Sequence, residues 1–133
     1  MRIHGQCHCG NITYEAEVEP TPVTVCHCDD CQRLTGSPFR VTVSTPRSNI
    51  EIKGEPKIYR RQADSGTMRL MYFCPECGSS LFASDEDVDA RPWGIRWGSI
   101  NERKQLAPTQ QIWCSSAVEW GMFPDLPRKD KQK

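Results

Sequence analysis

Val25–Arg33 reads VCHCDDCQR, with three cysteines and a histidine inside six residues. Reading outward from it, the same C-x-C spacing returns at Cys7–Cys9 in QCHCG, and a third pair, Cys74 and Cys77, stands in FCPECGSSL. Seven of the eight cysteines thus fall into three tight groups, and only Cys114 stands alone. Disulfide frameworks scatter their cysteines, whereas chelation favours ligands one or two residues apart. The spacing therefore predicts metal centres, and metal centres in a chain of this size predict a fold that they staple together.

The bulk of the sequence fits this reading. A chain of 133 residues is the length of one domain with a modest core, expected over 1–127, and RKDKQK at 128–133 reads as a frayed tail. Seventeen basic and seventeen acidic side chains give a formal charge of zero, which argues against nucleic acid or an anionic membrane as partner. The start, MRIHGQCHCG, has no apolar leader, and no apolar run reaches the roughly 18 residues of a membrane span. The expected compartment is the cytoplasm, where thiols stay reduced and free to hold metal.

Most segments alternate with a period of two. Strands are expected at Asn11–Val18, Phe39–Val43, Ile50–Ile52, Lys57–Arg60, Arg69–Phe73, Ser80–Ser84, Trp93–Ile100 and Gln110–Cys114. Ten prolines and nine glycines punctuate them as turns. Short helices are expected only at Asp29–Leu34 and Glu102–Leu106. The fold class is mainly β, made of small antiparallel sheets. Trp93, Ile95 and Trp97 share one strand face and read as core. The acidic run Asp85–Asp89 reads as a solvated loop, since it lacks the ligand order of a calcium loop.

Strand geometry sorts the ligands. Residues i and i+2 of an extended chain face one side, so Cys7 with Cys9, and Cys26 with Cys28, can each share a metal while His8 and His27 turn away. A turn after Cys28 brings Cys31 to the same ion. C-P-x-C-G at Cys74–Gly78 is a zinc-knuckle turn. Pairing it with Cys7 and Cys9 gives a closed four-thiolate centre and leaves a three-thiolate one. Spacing does not exclude pairing it with two members of the triad, which would leave Cys7 and Cys9 spare, but the first arrangement is preferred because it uses seven cysteines as four plus three with no orphan. Cys114 reads as a small buried hydrophobe or as the fourth ligand of the triad.

The ordered motifs resemble those of the glutathione-dependent formaldehyde-activating enzyme family, which also includes centromere protein V. The matching stretches are GQCHCGNITYE at Gly5–Glu15, CHCDDCQRLTGSPF at Cys26–Phe39 and FCPECGSSLF at Phe73–Phe82. GIRWGSIN at Gly94–Asn101, IWCSSAVEW at Ile112–Trp120 and Leu126–Pro127 add a weaker signature; Gln111 stands where the family often has histidine. The resemblance implies an Mss4-like zinc fold with two Zn2+ per chain. It implies a structural zinc on Cys7, Cys9, Cys74 and Cys77 and a catalytic zinc on Cys26, Cys28 and Cys31. The implied reaction joins a small thiol, glutathione, to a small aldehyde, formaldehyde, as a carbon–sulfur lyase run in reverse.

Chemistry offers a role for a three-thiolate centre. Three thiolates on a divalent ion sum to minus one, a poor Lewis acid but a good holder of an exchangeable fourth thiolate. The substrate thiol is expected to take that position and attack an aldehyde, forming a hemithioacetal. Arg33 and Arg40 are the cations nearest in sequence for the charge and for a substrate carboxylate. Thr35–Ser37 is a turn whose amides or hydroxyls can reach the substrate. Two other functions compete: a non-catalytic zinc-stabilised protein-binding module, and thiol redox chemistry at a metal-free triad.

Overall fold

The computed structural model describes residues 1–132. Ten strands form two sheets. β1 (Arg2–Gln6), β2 (Thr13–Glu17) and β5 (Ile50–Lys53) make a three-stranded antiparallel sheet in the order β1-β2-β5. The other seven are β3 (Val23–Cys26), β4 (Arg40–Thr45), β6 (Lys57–Gln62), β7 (Met68–Phe73), β8 (Ser80–Asp85), β9 (Trp93–Arg96) and β10 (Gln110–Ile112). They lie in the order β10-β3-β4-β9-β8-β7-β6, antiparallel except for the parallel pair β10–β3. One helix, α1 (Asp29–Thr35), follows β3.

Alternating burial along the strands is what packs the sheets. In β1 the buried positions are Ile3 and Gly5, in β2 Tyr14 and Ala16, and these meet Val23, Val43, Phe82 and Ile95 of the large sheet in one apolar core. Aromatic rings fill its centre: Tyr14 lies edge-on to Phe82 at 4.9 Å, and Tyr72 stacks on Trp93 at 4.6 Å. The opposite face of the large sheet carries Cys26, Arg40, Thr42 and Arg96, and α1 joins it at its rim through Asp30, ion-paired to Arg61 of β6 at 3.0 Å.

Several expectations need correction. β1 and β3 were not anticipated: β1 is short and polar on its outer face, and β3 runs straight into the cysteine motif. The strand expected over Trp93–Ile100 ends at Arg96, because Ser99 donates its hydroxyl to the Arg96 carbonyl (2.8 Å) and the Trp97 indole to that of Leu106 (2.9 Å). Trp93 and Ile95 are core, whereas Trp97 begins a 3-10 turn. The helix expected at Glu102–Leu106 is a single 3-10 turn, Arg103–Gln105. Asp85 is no loop residue; it is buried, gripped by Arg69 and by both arms of Arg91. The expected frayed tail is instead paired as far as Gln132: Lys129 N–H donates to the Gln111 carbonyl (3.1 Å) and Cys114 N–H to that of Lys129 (3.0 Å). Backbone pairing holds these charged side chains in place while they remain exposed. Lys133 lies outside the described residues.

Candidate metal centres

The four sulfurs of Cys7, Cys9, Cys74 and Cys77 converge, all within 4.8 Å of one another. This decides between the two groupings that spacing allowed. Two like turns build the centre. Cys7 N–H bonds Ile12 O (3.0 Å) and Cys74 N–H bonds Ser79 O (3.0 Å), and each turn contains a glycine in the left-handed region, Gly10 (φ 82°) and Gly78 (φ 78°). A side chain there would be strained, which is why glycine recurs after each cysteine pair. Cys7 and Cys9 lie on this turn, not on a strand, so strand alternation is not what groups them. The turns are clasped by Ser79, whose Oγ accepts His8 N–H (2.9 Å) and lies 3.2 Å from Cys77 Sγ. The Ser79 hydroxyl and amide, then the Cys9 amide, hold the Cys77 thiol down to about 5.

The fit to metal can be checked. A zinc tetrahedron with bonds of ~2.3 Å has sulfur–sulfur edges of about 3.8 Å. Here Cys7–Cys9 is 3.6 Å and Cys9–Cys74 is 3.7 Å, far too long for a disulfide, and all eight cysteines are free.

Cys26, Cys28 and Cys31 form the second cluster, again within 4.8 Å, and neither His27 nor Cys114 joins it. Cys26 ends β3, Cys28 caps α1 with its sulfur accepting Cys31 N–H (3.2 Å), and Cys31 lies in the first helical turn. Asp29 and Asp30 suit the positive helix start, and the Gly36 amide closes the last turn onto Gln32 O (2.9 Å). Bonds from the Cys26 thiol, then from Cys31, hold Cys28 down to about 2, with help from the Arg61 charge. Bonds to Cys28, then to Cys31, push Cys26 well up.

His27 turns away, as the extended geometry required. It is fully buried, with Nε2 3.0 Å from Gln111 Oε1. Gln111, also fully buried, donates from Nε2 to the carbonyls of Phe123 (2.6 Å) and Leu126 (3.2 Å). Gln32 adds bonds to His27 O and Ser116 O. Gln111 thus ties the metal loop to the C-terminal segment.

A cleft of about 760 Å³ runs from the first centre (Cys7, His8, Ser79) to the segment after α1 (Leu34, Thr35, Ser37, Arg40). Arg96, Trp97 and Arg103 complete its charged side. The triad sulfurs are not on its wall, but Arg40, paired in register with Cys26, belongs to both. Arg33 is exposed on α1 and does not line the cleft. Thr35 and Ser37 do. The sequence pointed to neither Arg61, which pairs with Asp30 beside the triad, nor Arg96, which the register of β4 and β9 places on the sheet face of Cys26, because only the tertiary fold brings them there.

A β-fold built on a four-cysteine and a three-cysteine cluster, each able to hold a metal ion, with a cation-lined cleft alongside, defines the class of protein. Residues 2–116 match the family model described as glutathione-dependent formaldehyde-activating enzyme, and the chain belongs to that family. It is 27% identical over 90 residues to a Halomonas elongata protein named for the same family, covering 64% of this chain and 57% of that one. It is 27% identical over 78 residues to an uncharacterised lyase of Schizosaccharomyces pombe, covering 59% and 54%. The chain thus spans little more than half the length of these relatives. A crystal structure of a Rhodobacter sphaeroides protein shares the fold, with TM-score 0.57 over 94% of this chain and 98% of that one at 18% identity.

Proposed function

We propose that the protein is a zinc-dependent enzyme that makes and breaks the carbon–sulfur bond of a thiol–aldehyde adduct, with glutathione and formaldehyde as the pair its family name suggests. Cys7, Cys9, Cys74 and Cys77 hold a structural ion; Cys26, Cys28 and Cys31 hold the reactive one. The observation that carries this reading is the contrast in donor number: four sulfurs in one cluster, three in the other, and no fourth cysteine or histidine beside the three.

Zinc bound by the triad would keep a substrate thiol ionised at neutral pH. The chain's own residues do the rest. Cys28 and the α1 amides set the triad's shape, and the cleft receives the body of the thiol. Arg40, which lines the cleft, attracts it; Arg33, exposed on α1, is the more distant candidate for a substrate carboxylate. The substrate sulfur donates its electron pair to the aldehyde carbon, the carbon–oxygen π pair moves to oxygen, and that oxygen takes a proton from water. The reverse sequence releases aldehyde and thiol.

Exchange between free formaldehyde and its glutathione adduct, followed by magnetisation-transfer NMR on zinc-replete protein, tests the reading. Wild type accelerates exchange in proportion to its concentration, and Cys28→Ser does not. Exchange at the uncatalysed rate with fully zinc-loaded wild type would sink it.

A further inference from the structure

Four guanidiniums gather on the sheet face that carries the triad, and two of them are balanced. Arg61 pairs with Asp30 (3.0 Å) and Arg69 with Asp85 (2.6 Å). Arg40 and Arg96 have no carboxylate at ion-pair distance among the described residues, and the Nε atom of each is buried without a hydrogen-bond partner. Arg40 is itself buried. Arg96 meets only neutral groups, donating to Thr42 Oγ1 (3.0 Å) and lying against Met71 Sδ (3.3 Å). Burial first, and then the neighbouring Arg40, push its guanidinium down to about 9.

A buried cation without an anion is costly, and Arg40 is one; Arg96, half-buried beside it, adds a second uncompensated charge. Cys26 of the triad shares their face of the sheet. Arg40 is opposite Cys26 in register and its charge acts on Cys31; the charge of Arg96 acts on Cys31 and Cys26. The sum of charges is informative. Three thiolates with a divalent ion carry minus one, and a fourth thiolate makes minus two, which two guanidiniums balance.

Building on the three-thiolate reading above, we infer that Arg40 and Arg96 are a charge-compensating pair that makes the centre prefer an anionic sulfur over neutral water as its fourth ligand. They act on the sulfur itself, so the preference holds for any thiol, with or without carboxylates. The incoming thiol gives its proton to bulk water as its sulfur arrives. Arg96 is therefore a positioning residue whose effect reaches substrate through the charge of the centre.

Cobalt(II)-loaded protein gives a readout independent of turnover, the thiolate-to-cobalt charge-transfer absorption. Titration with 2-mercaptoethanol, which lacks a carboxylate, and with glutathione is compared across wild type, Arg96→Gln and Arg96→Lys, with two metals per chain verified in each. Arg96→Gln is expected to weaken both thiols by about tenfold or more, while Arg96→Lys stays within about threefold of wild type. If Arg96→Gln does not fold, Arg40→Gln carries the same comparison. Unchanged affinity for both thiols overturns the inference, and so does a loss confined to glutathione, which would make these arginines carboxylate contacts. Wild type that gains no absorption with either thiol overturns the function proposed above as well, so the two failures are distinguishable.

Discussion

The two cysteine centres use the same amino acid to opposite ends. The four-cysteine centre is a clasp: two glycine-bearing turns from distant parts of the chain, joined at their sulfurs and by Ser79. Cys7 and Cys74 are buried within the core cluster, so its loss would open the molecule at its middle. The three-cysteine centre is local, built within six residues on a strand end and a helix cap. Its face of the sheet carries charge: Arg40, buried, and Arg96, half-buried, neither with a carboxylate partner among the described residues, and both lining the cleft. On the proposed reading, a closed four-sulfur set anchors the fold, and a three-sulfur set beside uncompensated positive charge is suited to capture of an anion.

The largest effect expected from breaking this contrast is at the clasp. Cys74→Ser, or removal of metal by a strong chelator, should abolish cooperative folding, since a structural zinc contributes on the order of 10 kcal/mol; far-ultraviolet circular dichroism and thermal melts measure it. Cys28→Ser should instead leave the melt within a few degrees of the wild type, lower metal content from two per chain to one, and abolish adduct exchange. A Cys28→Ser protein as unfolded as Cys74→Ser would erase the distinction between the centres.

Smaller effects sharpen it. Gln111→Ala strands His27 Nε2 and the Phe123 and Leu126 carbonyls. It should cost about 3 kcal/mol in urea unfolding and loosen the wall behind the triad without touching the clasp. Asp85 provides a pH signature on the triad's face of the sheet. Arg91 first, and then Arg69, hold its carboxyl down to about 2, below the ordinary 3.8. A depressed folded value means the stabilisation, about 2 kcal/mol, is complete above the unfolded value and is lost as pH falls through about 2. The stability gap between wild type and Asp85→Asn should therefore shrink on acidification from pH 6 towards pH 2. The smallest change is expected for Cys114→Ser, which should retain two metals per chain because Cys114 belongs to neither cluster.

The centre around Cys26 was legible because it is local. C-x-C followed by x2-C, a helix cap and two acidic residues all act over one turn of chain, and an extended backbone alone turns His27 away. The grouping of Cys7 and Cys9 was also reached from the sequence, though through strand alternation, where the structure uses turns. Strand positions were largely anticipated from period-two burial. Their boundaries shifted where a side chain captured a backbone carbonyl, as Ser99 does at Arg96.

What the sequence by itself determined is which cysteines can act together, because chelate spacing is a short-range property of the backbone. It also determined that the chain is mainly β, because burial on a pleated sheet imprints a period of two. Only the tertiary structure decided which pair joins Cys74 and Cys77, that Cys114 stands apart, and that Arg40 and Arg96 lie unpaired beside the triad. Arg33, close in sequence, is exposed, whereas Arg96, seventy residues from Cys26, lies on the same face of the sheet and its charge acts on Cys31 and Cys26. Charge acts through space, and the register of β3, β4 and β9 sets the distances that the linear order does not contain.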